Sequence, residues 1–346
     1  MSFGQLGAII IREQVSSGDG NLEIMIPGQK INAIFMICKI NQYTDYTEVL
    51  KTNFTDFLNK ITQIVHACAF RWDGWANKTD GNKYVITWKL PEIETASKDA
   101  ERNESLQEQR TEMADESLIA AIKIISEIRR AAQFNAYFRK NQMVQRFGTM
   151  TRPYLTFGIH LGWTVQGAIG SDNKIDACYL SPHLQIAQRL EELTQSYEMQ
   201  IILSEPLYNY MSLKARNTLR KIDVVLMNIF VHQGLQNQLE PMGLYTFDMS
   251  FSNAEVSVIP DEHEVGGLIK LTKYENINIE NFRNKGVDYM FTLDSDIVGL
   301  QQHIMEFNPI FRQAFKCYIS GDWPNAFEHI ERCLELWEDD GPTKAL

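Results

Sequence analysis

The sequence predicts an α/β fold, a sheet-and-helix sandwich of the α+β kind, with a helical hairpin appended at its C-terminal end. Three observations predict it. Ile31 to Ile40 is a nearly continuous apolar run of strand length, the pattern of a strand covered on both faces. Tyr84-Val85-Ile86-Thr87-Trp88-Lys89-Leu90 alternates at period two behind the Gly-containing segment Asp73 to Lys83, and reads as the second arm of a hairpin. Helical and extended patterns then alternate as far as Asp248, which favours a layered sheet over a bundle.

Taken in order, residues 1–28 hold short apolar runs broken by Ser17-Gly18-Asp19-Gly20, and are expected to pack on the body as a leader. The body is expected to span 29–248. After its first strand, Phe54, Phe57, Leu58, Ile61, Ile64, Val65 and Cys68 recur at helical spacing and predict an amphipathic helix with those side chains inward. Pro91 ends the hairpin. Residues 92–116, rich in Glu, Gln, Ser and Asn, are expected to be a solvated polar insertion, after which Leu118, Ile119, Ile122, Ile125 and Ile128 restore a helical stripe. Gly158 to Ser171 reads as a strand pair, with glycines where a backbone or a ligand approaches closely.

Asp176 to Leu180 is a short extended entry, broken by Ser181-Pro182. On the helix that follows, Gln185 and Arg189 lie four apart and leave the same face, so both can reach one ligand. Met199 to Ser204, Arg220 to Met227 and Pro241 to Asp248 predict further strands, with a short helix starting at Glu205. Residues 249–305 are expected to be an irregular connector. Over 306–346, two amphipathic helices joined through Gly321-Asp322-Trp323-Pro324 predict an antiparallel pair similar to one tetratricopeptide-type (TPR-like) unit, with Asp322 as N-cap and Pro324 in the first turn. One pair cannot make a solenoid, so it is expected to dock on the body or on a partner.

Composition narrows the function. A net charge of −11 argues against nonspecific nucleic-acid or anionic-membrane binding, because neutralising phosphates takes clustered Lys and Arg. Cys38, Cys68, Cys178, Cys317 and Cys333 are scattered without CxxC or zinc-ligand spacing, the usage of reduced core thiols. No run approaches ~18 apolar residues, so no membrane span is expected. The expected address is cytoplasmic.

Several separated blocks carry a resemblance. Ile26-Pro27-Gly28, Ile37 to Glu48, Asn77-Lys78, Trp88-Lys89-Leu90, Gly167 to Ser171, Lys174 to Ala177 and Pro241 to Asp248 fall in the order of a class III adenylate/guanylate cyclase catalytic domain. They are most similar to the soluble catalytic domains of large protist cyclases, and Gly321-Asp322-Trp323 and Asp340-Gly341-Pro342 resemble the tail of those proteins. The resemblance implies a two-subunit dimer with composite nucleotide sites. One subunit supplies two carboxylates that seat two divalent metals; its partner supplies base-reading side chains, an Asn and a transition-state Arg.

Mapped residue by residue, the resemblance implies a degenerate member. Lys39 stands where the first metal-binding Asp is expected, and an ammonium has no lone pair for Mg²⁺. Asn82 stands at the second metal position; a rival register would put Asp80 there. Lys78 and Cys178 occupy the base-reading positions, Gln185 replaces the usual Asn, and Arg189 matches the transition-state Arg. Asn228 stands where a triphosphate-binding Lys is usual.

Each position also has a plainer reading: Lys39 as an ion-paired residue, Arg189 in an ordinary helix salt bridge, Lys78 as an exposed hairpin residue, Cys178 as packing. His66, His160 and His183 lack metal-ligand spacing and read as structural, and Trp72, Trp75 and Trp88 as core or subunit contact. The expectation is a catalytically inactive, cyclase-like subunit with no cofactor of its own, Mg²⁺ or Mn²⁺ entering only from a partner. It would pair with the cyclase-like domain of another chain or serve a larger assembly, with a cilium as one address. The alternative is the non-metal half of a heterodimer that makes cyclic AMP or cyclic GMP from ATP or GTP at one shared site.

Overall fold

The computed structural model describes residues 28–92, 100–148, 150, 152–171, 174–229, 238–250, 280, 283–301 and 306–346. The leader over 1–27 lies outside them, as does most of the connector.

A single mixed sheet organises the body. Strands β1 (Gln29–Ile40), β2 (Trp75–Asp80), β3 (Lys83–Lys89), β4 (Leu155–Ser171), β6 (Ile201–Ser204), β7 (Leu219–Ile229) and β8 (Gln238–Phe247) run in the order β2-β3-β1-β4-β6-β8-β7, and β5 (Lys174–Leu180) pairs with the far end of β4. Only the β4–β6 pair is parallel. The chain therefore crosses over once beneath the sheet centre, and the crossover carries helix α6 (Pro182–Ser196).

The apolar run of β1 is covered on both faces, as its composition predicts. Ile34, Met36, Cys38 and Ile40 face α2 (Phe54–Arg71) and α3 (Ala100–Arg130), while Ile31, Ala33, Phe35 and Ile37 face α6. Phe57, Ile61, Ile64, Val65 and Cys68 are the buried stripe of α2. Trp72 and Trp88 are both fully buried, with the Trp88 indole N–H donating to the Trp72 carbonyl at 2.7 Å. Helices α1 (Tyr43–Leu50), α4 (Asn135–Phe138) and α5 (Asn141–Phe147) close this layer through the rings of Tyr46, Phe57, Phe138 and Phe147.

Three segments differ from the sequence reading. From Ala100 the polar segment over 92–116 is helical, continuous with the apolar stripe that follows, in one 31-residue helix. The segment is rich in Glu, Gln, Arg and Ala without Gly or Pro, and its last turn already buries Ala114, Asp115 and Glu116, so the helix anchored by Leu118 to Ile128 extends back through it. Gly158 to Ser171 is not a strand pair but part of the continuous β4. The connector is ordered over 283–301, where α9 (Met290–Leu293) and α10 (Ser295–Leu300) pack Met290, Phe291, Ile297 and Leu300 into the core beside α2 and α3. Asp294 caps α10 and, with Asp296, holds Lys123 of α3 at 2.7 Å.

After the short α7 (Glu205–Tyr210) and α8 (Leu213–Asn217), the chain ends in the expected pair, α11 (Phe307–Ser320) and α12 (Trp323–Leu336), followed by α13 (Gly341–Ala345). Asp322 sits at the N-cap with Pro324 in the first turn, but its carboxylate accepts from the Asn325 amide at 2.7 Å instead of from the helix backbone. The pair docks on the β7 side of the body. Buried Arg220 of β7 donates to Asp248 at 2.7 Å and to Asp340, the N-cap of α13, at 2.6 Å, beneath the rings of Phe307, Phe311 and Trp337. A Cβ on Gly341 would lie 1.9 Å from the Tyr197 carbonyl oxygen, so only glycine lets α13 close on the end of α6. No helix of the described residues is long and apolar enough to cross a membrane.

Candidate functional site

The site is built where α6 crosses β1 and β4. Glycine sets that crossing: a Cβ at Gly158 would stand 2.3 Å from the Ala187 carbonyl oxygen, and one at Gly162 would stand 2.1 Å from the His183 ring. The glycines read from sequence as places of close approach therefore admit the helix. Ser181 caps α6 by accepting from the His183 N–H at 3.0 Å, and Pro182 occupies its first turn.

On the sheet face beneath α6, Thr156, Lys39, Lys83 and Asp80 form one cross-strand row. Lys39 pairs with both Thr156 and Lys83, and Lys83 with Asp80; directly opposed residues on antiparallel strands leave the same face. Glu191 of α6 descends onto this row and is 1% exposed. Its Oε1 lies 3.3 Å from Lys39 Nζ and accepts from the Thr156 hydroxyl at 3.0 Å, while its Oε2 lies 3.8 Å from Lys83 Nζ without a hydrogen bond. The Asn41 amide donates to the Thr156 hydroxyl at 3.3 Å. Lys39, expected at a metal position, is thus held by a buried carboxylate.

Asn82 sits in the β2–β3 turn. Its carbonyl accepts from the Ile40 N–H at 2.8 Å, and its amide makes a long 3.4 Å contact to the Ile40 carbonyl, so it fastens the turn to β1. Asp80, the rival acidic candidate, is exposed and 4.0 Å from Lys78. The donor set does not fit a divalent cation: two ammoniums flank the one buried carboxylate, and an amide turned to the backbone fills the remaining position. Among the described residues, no three or more His, Cys, Asp or Glu are grouped to hold a metal ion.

Gln185 and Arg189 lie on the outer face of α6, both exposed, as their spacing predicts. Arg189 pairs with Glu192 on its own helix at 3.1 Å and is 60% exposed. Lys78, opposite Val85, shares the face of Lys39, whereas half-buried Cys178 leaves β5 on the face opposite Tyr179, which packs under α6. The structure does not bring these two base-reading candidates together. Asn228 pairs with Leu239 at the outer end of β7, remote from the row on β1 and β3.

Sequence reasoning missed Glu191, and a signal was present. The buried stripe of α6 runs Ala187, Leu190, Glu191, Thr194, so a carboxylate stands where the helical period calls for an apolar residue. His160 is structural, as read: it is buried, with Nδ1 2.7 Å from the Ser204 hydroxyl and Nε2 2.9 Å from His183 Nδ1. Burial first, and the neighbouring His183 second, push its pKa down to about 3, so the ring stays neutral.

No protein-family model matches the chain, and no curated protein matches it. Among solved structures, it is similar to a bacterial light-regulated adenylyl cyclase, with 18% identity, TM-score 0.45, and coverage of 64% of this chain and 91% of the other. It is similar also to the adenylyl cyclase CyaB from P. aeruginosa (16%, TM-score 0.38, 70% and 100%) and to the guanylate cyclase domain of RhGC from Catenaria anguillulae in complex with GTP (17%, TM-score 0.42, 63% and 96%). Likenesses this distant lend no weight to an activity, which the residues themselves must carry.

Proposed function

We propose that the chain is a cyclase-like subunit without a metal centre of its own, acting by pairing with a related domain or by building a larger assembly. The observation that supports this reading is the Lys39–Glu191–Lys83 cluster at the position that the sequence resemblance assigns to the first metal-binding carboxylate. Two-metal cyclisation needs cations to activate a 3′-hydroxyl and neutralise the transferred phosphoryl group. A lysine held by a buried glutamate supplies charge but no coordination. A ciliary address, suggested by the resemblance to protist cyclases, belongs to the same proposal and is checked by imaging the tagged chain.

The test is cyclic nucleotide formation from ATP and GTP with Mn²⁺ or Mg²⁺. The purified chain should form none alone, and product from it would overturn the reading. Exposed Gln185 and Arg189, side by side on the outer face of α6, favour a second reading, the non-metal half of an active heterodimer. Under it, a mixture with a metal-competent cyclase domain makes product, and Arg189→Ala in this chain abolishes that product.

A further inference from the structure

We infer that Lys39 and Lys83 form a metal-independent phosphate site, taking the phosphate chain of a nucleoside triphosphate. The inference rests on the cyclase-like reading for the identity of the ligand, and on the cluster itself for its chemistry. Each ammonium has three N–H donors, and the described contacts give each one ion-pair partner, Glu191, at 3.3 Å from Lys39 and 3.8 Å from Lys83. Glu191 cancels one of the two charges and lies against both ammoniums, so the pair carries net positive charge. Lys39 and Lys83 keep 23% and 29% of their side-chain exposure, enough for an anion to reach the spare donors from solvent.

The surroundings favour an anion. On the inner side the Thr156 hydroxyl donates to Glu191 and itself accepts from the Asn41 amide. On the outer side, Asp80 is paired with Lys78, so the row counted together with Lys78 and Glu191 holds three lysines against two carboxylates. Ammonium–phosphate hydrogen bonds are charge-assisted, and partial burial shields them from the screening that weakens exposed pairs. The two lysines thus take the charge-neutralising part of a metal pair without its coordination chemistry, which suits retention of a nucleotide without turnover.

The experiment is titration calorimetry of the whole chain in EDTA with ATP, GTP and inorganic triphosphate, at low and moderate salt. All three ligands should bind, more weakly as salt rises. Lys83→Ala, the substitution that disturbs Glu191 least, should weaken binding about tenfold, as should Lys39→Ala. Glu191→Gln should strengthen it by removing a competing negative charge, a direction that loss of structure cannot mimic. Thermal unfolding of each variant confirms that it is folded, and the wild-type titration stands whatever the variants do.

Absence of binding in EDTA would overturn the site. So would binding of ATP and GTP without inorganic triphosphate, or equal weakening by all three substitutions. Cyclic nucleotide made by the isolated chain overturns the proposed function, whereas failure to bind in EDTA with no product formed overturns this inference alone.

Discussion

Two charged clusters lie toward opposite ends of the same sheet, and they differ in stoichiometry. On the β7 side one guanidinium faces two carboxylates: Arg220 donates five hydrogen bonds to Asp248 and Asp340, and all three side chains are buried. Across β1 and β3 two ammoniums face one carboxylate, Glu191, and both keep partial access to solvent. The first cluster engages all three guanidinium nitrogens of its cation and is sealed by aromatic rings, so it acts as a latch for the C-terminal helices. The second retains donors and net charge, so it is equipped to hold something from outside.

The largest expected effect breaks the latch. Arg220→Ala leaves two buried carboxylates without their cation, which should cost about 3–5 kcal/mol. Denaturant unfolding should report that loss, and limited proteolysis should release the segment from Phe307 onward before the body is cut. A variant that unfolds as wild type does would remove the contrast between the clusters.

A third group of charges sharpens the comparison, because it has carboxylates with too little cation. Burial first, and the charge of Asp73 second, push Glu116 of α3 up to about 8; burial pushes Asp115 up to about 7. Arg283 approaches Glu116 only to 3.9 Å. Both groups hold in the folded state protons that the unfolded chain releases near pH 4. Their contribution to stability is complete below that pH and is lost as pH rises toward 7 and 8, by ~1.4 kcal/mol per pH unit for each group. Glu116→Gln should flatten the profile, so urea unfolding at pH 5.5 and 8 should differ less for the variant than for the wild type.

The smallest expected effect concerns the outer face of α6. Arg189 and Glu192 form an exposed pair one helical turn apart, worth less than about 0.5 kcal/mol. Arg189→Ala should leave the melting temperature of the isolated chain within error. A large destabilisation would mean that Arg189 belongs with the structural charges and not with a partner-facing surface.

The elements that declared themselves in sequence are those whose neighbours along the chain decide their state. The apolar run of β1, the hairpin of β2 and β3 with its Gly-containing turn, and the α2 stripe follow from local period and turn chemistry. The helix over 100–116 reads from sequence as part of a solvated polar insertion because its main stabilising face lies further along, at Leu118 to Ile128. The exposed side-by-side placement of Gln185 and Arg189 was legible from their spacing, whereas the separation of Lys78 from Cys178 depends on the faces that two distant strands present.

By itself, the sequence determined that Lys39 and Asn82 stand where the resemblance expects metal ligands and that a layered α/β body carries a helical pair, because identity and periodicity are properties of the chain. Tertiary structure alone decided that Lys39 meets Glu191 and that Arg220 meets Asp340, 120 residues away. Charges find their partners across folded surfaces, and no spacing along the chain encodes which carboxylate a buried cation will reach.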